Sequence, residues 1–355
     1  MTQQPSDAML HRNLNVVRLH ASGLFSDAPL SCAPPKVAII GCGRWGRNLI
    51  RNFSSLDALA ALIDASAETL QAAQADIPET LETPCFESLQ TFLNSAVSAS
   101  VSGIIIATPT HTHFALARQA LEAGKHVYVE KPLATSEADV LHLETLAKSV
   151  GKHLMVGHLL LFHPAVRRLR QLIDSGELGI IESIESVRLN TNPFRPDASV
   201  LWDLAPHDLS MMAYVLAGEP IALQSVIGER TQEDGKIDIA RLDSVIDSPK
   251  HGMINSRLHV SWVHPEKQVK LTIKGSQNIA ILDDTRSDSK LVIQNPSNLN
   301  ADSSEIAIPY LELEPLRLEC QHFLNAISNH QQPMTHARHA LPLVRLLEEA
   351  HLKLL

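Results

Sequence analysis

The apolar positions of this chain fall into short blocks separated by helix-forming stretches, and the spacing changes part-way along. Val37-Ala38-Ile39-Ile40 is an apolar run that stops at Gly41, and Leu59-Ala60-Ala61-Leu62-Ile63 ends at Asp64. Two more runs are Gly103-Ile104-Ile105-Ile106-Ala107 and His126-Val127-Tyr128-Val129. Runs this short and this uniformly apolar are expected of strands buried on both faces. Between them, residues 45–53, 68–75 and 115–123 read as helices, the last closed by Gly124 as a C-cap. Strands alternating with helices predict an α/β fold, a doubly wound parallel sheet over residues 35–155.

Beyond Gly157 the texture shifts. Residues 164–175 read as a helix ended by Gly176, and strand-like alternation follows in 180–190, 221–228, 256–263, 269–273 and 279–282. Few helices separate these strands, so a mostly antiparallel, open sheet is expected in a second α/β domain over 156–355. Residues 314–328 and 336–354 read as two terminal helices. Residues 1–34 are expected to be a poorly ordered extension or an arm lying on a partner subunit.

Composition narrows this only modestly. A chain of 355 residues is too long for one ordinary core, and 45% hydrophobic with 19% charged residues is the profile of a globular protein. Thirty Lys and Arg against 39 Asp and Glu leave a net charge of −9, which argues against nucleic acid as a partner. No apolar run is long enough for a membrane span, and residues 1–34 lack the apolar core of a signal peptide, so a cytoplasmic location is expected. Cys32, Cys42, Cys85 and Cys320 are scattered, with neither zinc spacing nor a disulfide framework, and no metal is expected.

Three segments carry chemistry. Gly41-Cys42-Gly43-Arg44-Trp45-Gly46 is a G-x-G-x-x-G that leaves a predicted strand and enters a predicted helix. In that setting the first glycine makes the turn, the second lets backbone approach a pyrophosphate, and the third allows close helix–strand packing. A glycine-rich turn with no ligand is the plainer alternative. Asp64, ending the next strand, would accept hydrogen bonds from a ribose diol and repel a 2′-phosphate, which favours NAD over NADP. Glu130-Lys131-Pro132 follows a strand at the sheet edge where such folds bind ligands, although a lysine at a strand end is commonly a solvated surface residue. Trp202-Asp203-Leu204-Ala205-Pro206-His207 opens a helix running to about Leu216. Pro206 is expected in its first turn, with Asp203 able to cap and His207 one turn further along the same face. The plainer reading there is a cap beside a core histidine. On their residues alone, His111, His113 and His163 read as ordinary.

These segments, with Ala107-Thr108-Pro109-Thr110-His111-Thr112-His113, occur in an order that resembles the Gfo/Idh/MocA family of pyridine-nucleotide oxidoreductases. The resemblance runs from Lys36 to about Leu324. It implies a Rossmann domain followed by an α/β domain with an open sheet, often used for oligomerisation, so a homodimer or homotetramer is expected. It implies catalytic roles for Lys131, Asp203 and His207, and a cis bond before Pro132. Cofactor contacts would come from Gly41, Cys42, Gly43, Arg44, Trp45, Gly46, Asp64, Thr108, Pro109, Thr110, His113, Glu130 and Lys131. Ala205 and Ser210 depart from the D-x-G-x-H-x-x-D of many relatives, inositol-dehydrogenase-like members among them.

The stretches Arg188-Leu189-Asn190, Phe194-Arg195-Pro196-Asp197, Val200 to Asp208, Val156-Gly157-His158, Phe162 to Val166 and Glu314 to Cys320 resemble a narrower group, the nucleotide-sugar 3-dehydrogenases. Substrate contacts are expected from Arg188, Asn190, Arg195, Trp202 and His207. Arg188 and Arg195 lie in the segment leading to Asp203 and suit the phosphates of a nucleotide sugar, a pair of solvated surface arginines being the plainer alternative. The narrower group implies NAD-dependent oxidation of the 3-hydroxyl of a sugar such as UDP-N-acetylglucosamine. The 3-keto product would feed an aminotransferase, in lipid A or surface polysaccharide synthesis. A free-sugar or inositol dehydrogenase, or a catalytically silent NAD(H)-binding regulator, are the alternatives.

Overall fold

The computed structural model describes residues 33–78, 81–191, 198–231, 235–295 and 305–355. The expectations for residues 1–32 and for Arg195 therefore lie outside the described residues. The first part of the chain folds as β1 (Val37–Ile40), α1 (Arg44–Ser55), β2 (Leu59–Ile63), α2 (Ala67–Gln74), β3 (Cys85–Phe86), α3 (Leu89–Leu93), β4 (Gly103–Ile106), α4 (His113–Glu122), β5 (His126–Glu130), α5 (Glu137–Ser149) and β6 (Leu154–Gly157). The six strands are parallel in the order β3-β2-β1-β4-β5-β6. Strand order reverses between β1 and β4, so a crevice opens at their carboxyl ends, bordered by the glycine loop after β1 and by Ala107-Thr108 after β4. β1, β4, β5 and β6 are buried along their whole length, as their apolar runs require.

The second part comprises α6 (Pro164–Asp174), β7 (Ile181–Thr191), α7 (Val200–Val215), β8 (Ile221–Glu229), β9 (Ile239–Ser248), β10 (Gly252–Ser261), β11 (Val263–Gly275), β12 (Ile279–Asp283), β13 (Leu291–Gln294), β14 (Glu305–Ala307), α8 (Pro315–Asn329) and α9 (Ala337–Leu354). Its eight strands lie in the order β14-β13-β12-β11-β7-β10-β9-β8. All neighbouring pairs are antiparallel except β7 and β10, which run parallel.

The closing helices return to the first sheet. Phe323 of α8 packs edge-on to Tyr128 with ring centroids 5.9 Å apart, and a Cβ at Gly103 would come within 3.1 Å of the Phe323 ring. Just before α9, the Thr335 carbonyl accepts the Val156 N–H at 2.8 Å, along the outer edge of β6. The chain end thus clamps the Rossmann sheet to the second sheet. No described helix is long and apolar enough to cross a membrane. Cys42, Cys85 and Cys320 are free thiols, and no group of three or more potential metal ligands exists among the described residues.

One local expectation is corrected. α7 begins at Val200 with Ser199 as N-cap, and the Asp203 N–H already donates to the Ser199 carbonyl. Asp203 is therefore inside the helix and does not cap it. Pro206 lies in the helix interior, where it deprives the Trp202 carbonyl of its usual donor.

Candidate active site

The glycine loop is fixed by contacts that leave no room for side chains at two of its three glycines. Gly41 has φ +92°, and a Cβ there would stand 2.5 Å from the Ala107 carbonyl oxygen; at Gly46 it would stand 1.8 Å from the Gly41 oxygen. Gly43 differs, because a Cβ there would meet nothing within 4 Å. It is the N-cap of α1, no side chain caps that helix, and no acidic residue occupies its first turn. The result is an uncapped helix start facing open space, with the dipole and unused N–H groups that an anion needs. Arg44 is exposed beside it and Trp45 is half-buried.

Asp64, at the end of β2, accepts the Cys42 N–H on Oδ2 at 2.8 Å and the Ser66 N–H on Oδ1 at 2.9 Å. Two N–H donors leave each oxygen a free lone pair, so the carboxylate both braces the loop and stays able to accept a ribose hydroxyl. Cys42 is buried, and burial, then the Asp64 charge, push its thiol up to about 12. It is inert packing beneath the loop. An NAD pyrophosphate and ribose therefore fit this edge: an open helix start, a glycine whose missing side chain clears the approach, and a carboxylate at the strand end.

Across the crevice, Thr108 and Thr112 share a hydroxyl–hydroxyl bond of 2.6 Å, Pro109 is exposed and Thr110 half-buried. His113 sits between this loop and the one after β5. Its ring is buried, with Nδ1 at 2.8 Å from the Pro132 carbonyl and Nε2 at 2.8 Å from the Thr108 carbonyl. His113 thus wedges the loop after β4 against the loop after β5.

Lys131 begins that second loop, and the Lys131–Pro132 bond is cis. Its Nζ donates to the Asp203 carbonyl at 2.7 Å and lies 3.4 Å from Asp203 Oδ1, with both side chains almost fully buried. Asp203 Oδ2 accepts the Trp262 indole N–H at 3.1 Å. The Asp203 carboxylate thus links Lys131 of the first domain to Trp262 at the β10–β11 junction. Trp262 was missed because nothing local marks it; 59 residues separate it from Asp203. His207 is half-buried one turn beyond Asp203, and its carbonyl accepts the Ser210 hydroxyl at 2.8 Å.

Two of the expected substrate contacts have other partners. Arg188 Nε and Nη2 reach the Asp208 carboxylate at 2.6 and 3.3 Å, and Asp208 also accepts the Ser186 hydroxyl at 2.6 Å. Asp208 is 1% exposed, so the guanidinium fork is committed to neutralising a buried charge and bolts α7 onto β7. The Trp202 ring packs edge-on to His351 of α9, 6.4 Å between centroids. Adjacent helix positions point about 100° apart, so Trp202 belongs to the helix interface while Asp203 turns toward Lys131. Asn190 is half-buried near the end of β7.

A nucleotide-ready helix start at a topological switch point, together with a buried pair of a Rossmann-domain lysine and a second-domain carboxylate, defines a pyridine-nucleotide oxidoreductase fold. The comparisons with known proteins agree. Residues 35–158 match the Gfo/Idh/MocA oxidoreductase family with its NAD-binding Rossmann fold, and residues 166–281 match the Gfo/Idh/MocA C-terminal domain. The chain belongs to the Gfo/Idh/MocA family. Among individual relatives, it is 33% identical over 198 residues to UDP-N-acetylglucosamine 3-dehydrogenase of Acidithiobacillus ferrooxidans, covering 54% of this chain and 57% of that one. A solved structure of that enzyme superposes with a TM-score of 0.76 at 25% identity, over 90% of this chain and 97% of the other. Inositol 2-dehydrogenase 1 of Saccharopolyspora erythraea is 27% identical over 188 residues, 52% of this chain and 55% of the relative. By sequence, the chain spans about half the length of these curated relatives.

Proposed function

We propose that this protein is an NAD-dependent dehydrogenase that oxidises a secondary alcohol of a nucleotide sugar, the 3-hydroxyl of UDP-N-acetylglucosamine being the preferred candidate. The observation that carries the reading is the Lys131–Asp203 contact, which sets an ammonium group from the Rossmann domain into the second domain at the carboxyl edge of β5. The similarity to a nucleotide-sugar 3-dehydrogenase supports the choice of substrate class.

Gly43, the first turn of α1 and Asp64 would hold the dinucleotide, and the bound nicotinamide supplies a hydride acceptor. His207 takes the hydroxyl proton as the base, an imidazole being suited to that task near neutral pH. Lys131 donates to the same oxygen and stabilises the alkoxide charge that develops as hydride leaves. Asp203 keeps the Lys131 ammonium in position, and Trp262 keeps Asp203. One hydride and one proton leave the alcohol, so the product is a ketone. With Arg188 committed to Asp208, Arg195 is the remaining candidate for the sugar-nucleotide phosphates.

The test is nicotinamide reduction by the purified protein with a panel of UDP-sugars, free sugars and inositols. Turnover confined to UDP-sugars is expected. Turnover confined to free sugars or inositols would replace the nucleotide-sugar assignment, and none with any alcohol would remove the dehydrogenase reading.

A further inference from the structure

One turn of α7 beyond His207, a small half-open cavity of about 30 Å³ lies between helices and sheet. Its walls are apolar and buried: Val166 of α6, Met211 of α7, Val269 and Leu271 of β11, and Leu282 of β12. Leu160, from the turn joining β6 to α6, also borders it. That turn leaves β6 at Gly157, the register partner of Glu130, so it starts beside the strand end that precedes Lys131. About 10–15 Å³ of such space takes one water-sized group. The cavity therefore has room for roughly two, the size of a carbonyl and a methyl.

The rim is polar, and it offers donors. Arg188 borders the cavity with Nε and Nη2 held by Asp208, which leaves Nη1 as a donor. His163, at the start of α6, accepts the Ala165 N–H on Nδ1 at 3.1 Å, so its neutral ring carries the proton on Nε2. Burial holds that ring below the usual imidazole range, which keeps it neutral. Asp284, the remaining carboxylate at the rim, is paired with Lys290 at 2.5 Å.

Two contacts fix how α7 lies over the sheet. Asp203 meets Trp262 just past the end of β10, and Asp208 meets Arg188, the register neighbour of Val269. His207 lies between these ties, and Met211 follows it on the same side of the helix, about 6 Å along the axis. An acyl group on the sugar carbon next to the reacting carbinol ends several bonds from the reacting oxygen, a reach that spans this turn. We propose that the cavity is the specificity pocket for the acyl group of a 2-acylamino sugar: the methyl enters the apolar floor and the carbonyl oxygen accepts from the donors at the rim. The proposal deepens the nucleotide-sugar reading and rests on it. A sugar with a hydroxyl at that carbon leaves the floor unfilled and forfeits the gain of burying the methyl.

The test compares kcat/KM of the purified protein, with NAD, for UDP-glucose and for UDP-glucosamine carrying N-formyl, N-acetyl or N-butanoyl groups. The N-acetyl sugar should be best. The N-formyl sugar and UDP-glucose should fall about tenfold below it, the scale of one methyl in an apolar pocket, and the N-butanoyl sugar should fall below it as well. Val166→Ile adds a methyl to the wall and should move the optimum to the N-formyl sugar. Met211→Ala widens the cavity and should move it toward the N-butanoyl sugar. A purely structural role for these side chains would change overall activity without changing the order of acyl groups. Should Met211→Ala fail to fold, the unmutated series and Val166→Ile decide. Equal kcat/KM for UDP-glucose and the N-acetyl sugar, or an acyl order unchanged in the folded variants, would overturn the proposal and leave the nucleotide-sugar reading standing. Oxidation of no UDP-sugar would overturn both.

Discussion

The indole nitrogen of Trp262 donates to Asp203 Oδ2, while the Lys131 ammonium lies 3.4 Å from Oδ1 of the same carboxylate. A lysine at the end of a Rossmann strand is thereby held by a chain of partners that ends at a strand junction of the second sheet. The geometry of the candidate site depends on both domains being folded and docked.

Removing either polar group of the proposed chemical step should leave the nucleotide site standing. Lys131→Ala and His207→Ala are each expected to cut turnover by about 10²–10⁴-fold, the range for acid–base groups. Cofactor affinity, followed by quenching of protein fluorescence, should change little. Near-normal turnover in His207→Ala would transfer the base role to Lys131.

The glycines separate folding from binding. Gly46→Ala puts a Cβ 1.8 Å from a backbone oxygen, so α1 must move, and a loss of roughly 1–3 kcal/mol in urea unfolding is expected. Gly43→Ala meets no protein atom within 4 Å and should cost only about 0.5–1 kcal/mol of stability, the difference between Gly and Ala at an N-cap. It should nonetheless weaken NAD binding by about tenfold or more, roughly 1.4 kcal/mol. Unchanged NAD affinity in Gly43→Ala would show that the helix start is not where the pyrophosphate sits.

Asp64→Ala removes the diol acceptor, the charge that repels a 2′-phosphate, and the brace on the Cys42 N–H. NAD affinity should fall, and the ratio of kcat/KM for NADP over NAD should rise about tenfold. Equal use of both cofactors by the unmutated protein would contradict the assignment of Asp64.

Buried histidines make stability fall in acid. Burial depresses His158 to about 3, and His126, His322 and His339 to about 4, from the usual 6.5 of an imidazole. Below 6.5 the unfolded chain binds protons that these folded-state rings refuse, so the stabilisation is present above that pH. It is lost progressively as pH falls toward 4. Urea midpoints should be flat above pH 7 and drop steadily below 6.5, and His158→Asn or His158→Gln should flatten the drop. A midpoint unchanged between pH 7 and 4.5 would contradict the burial of these rings.

What could be read from the sequence is what is encoded locally. The glycine loop, Asp64 at a strand end, and Lys131 at the start of a loop each depend on neighbours within a few residues, and the structure has them on one crevice. Strands β9 and β13 went unread, and β10 starts four residues before the 256 expected, for a physical reason in the first case. On β9 and β10 the inner face carries Ser244 and Ser256, whose hydroxyls bond each other at 2.6 Å, so two buried positions looked polar. β3 has only two residues, too few for any pattern. α5 carries a Ser136 cap, Glu137 and Asp139 in its first turn and Lys148 in its last, all of them local marks of a helix. The commitment of Arg188 to Asp208, the facing of Trp202 toward α9, and the partnership of Trp262 with Asp203 are tertiary facts. No spacing along the chain carries them.

The most direct test of the account uses UDP-N-acetylglucosamine carrying deuterium at C3, incubated with the purified protein and NAD. The account predicts that the deuterium moves to C4 of the nicotinamide, that a ketone carbon appears at C3 of the sugar, and that both signals vanish together in Lys131→Ala. Reduced nicotinamide without deuterium, or deuterium retained on the sugar while NAD is consumed, would contradict it.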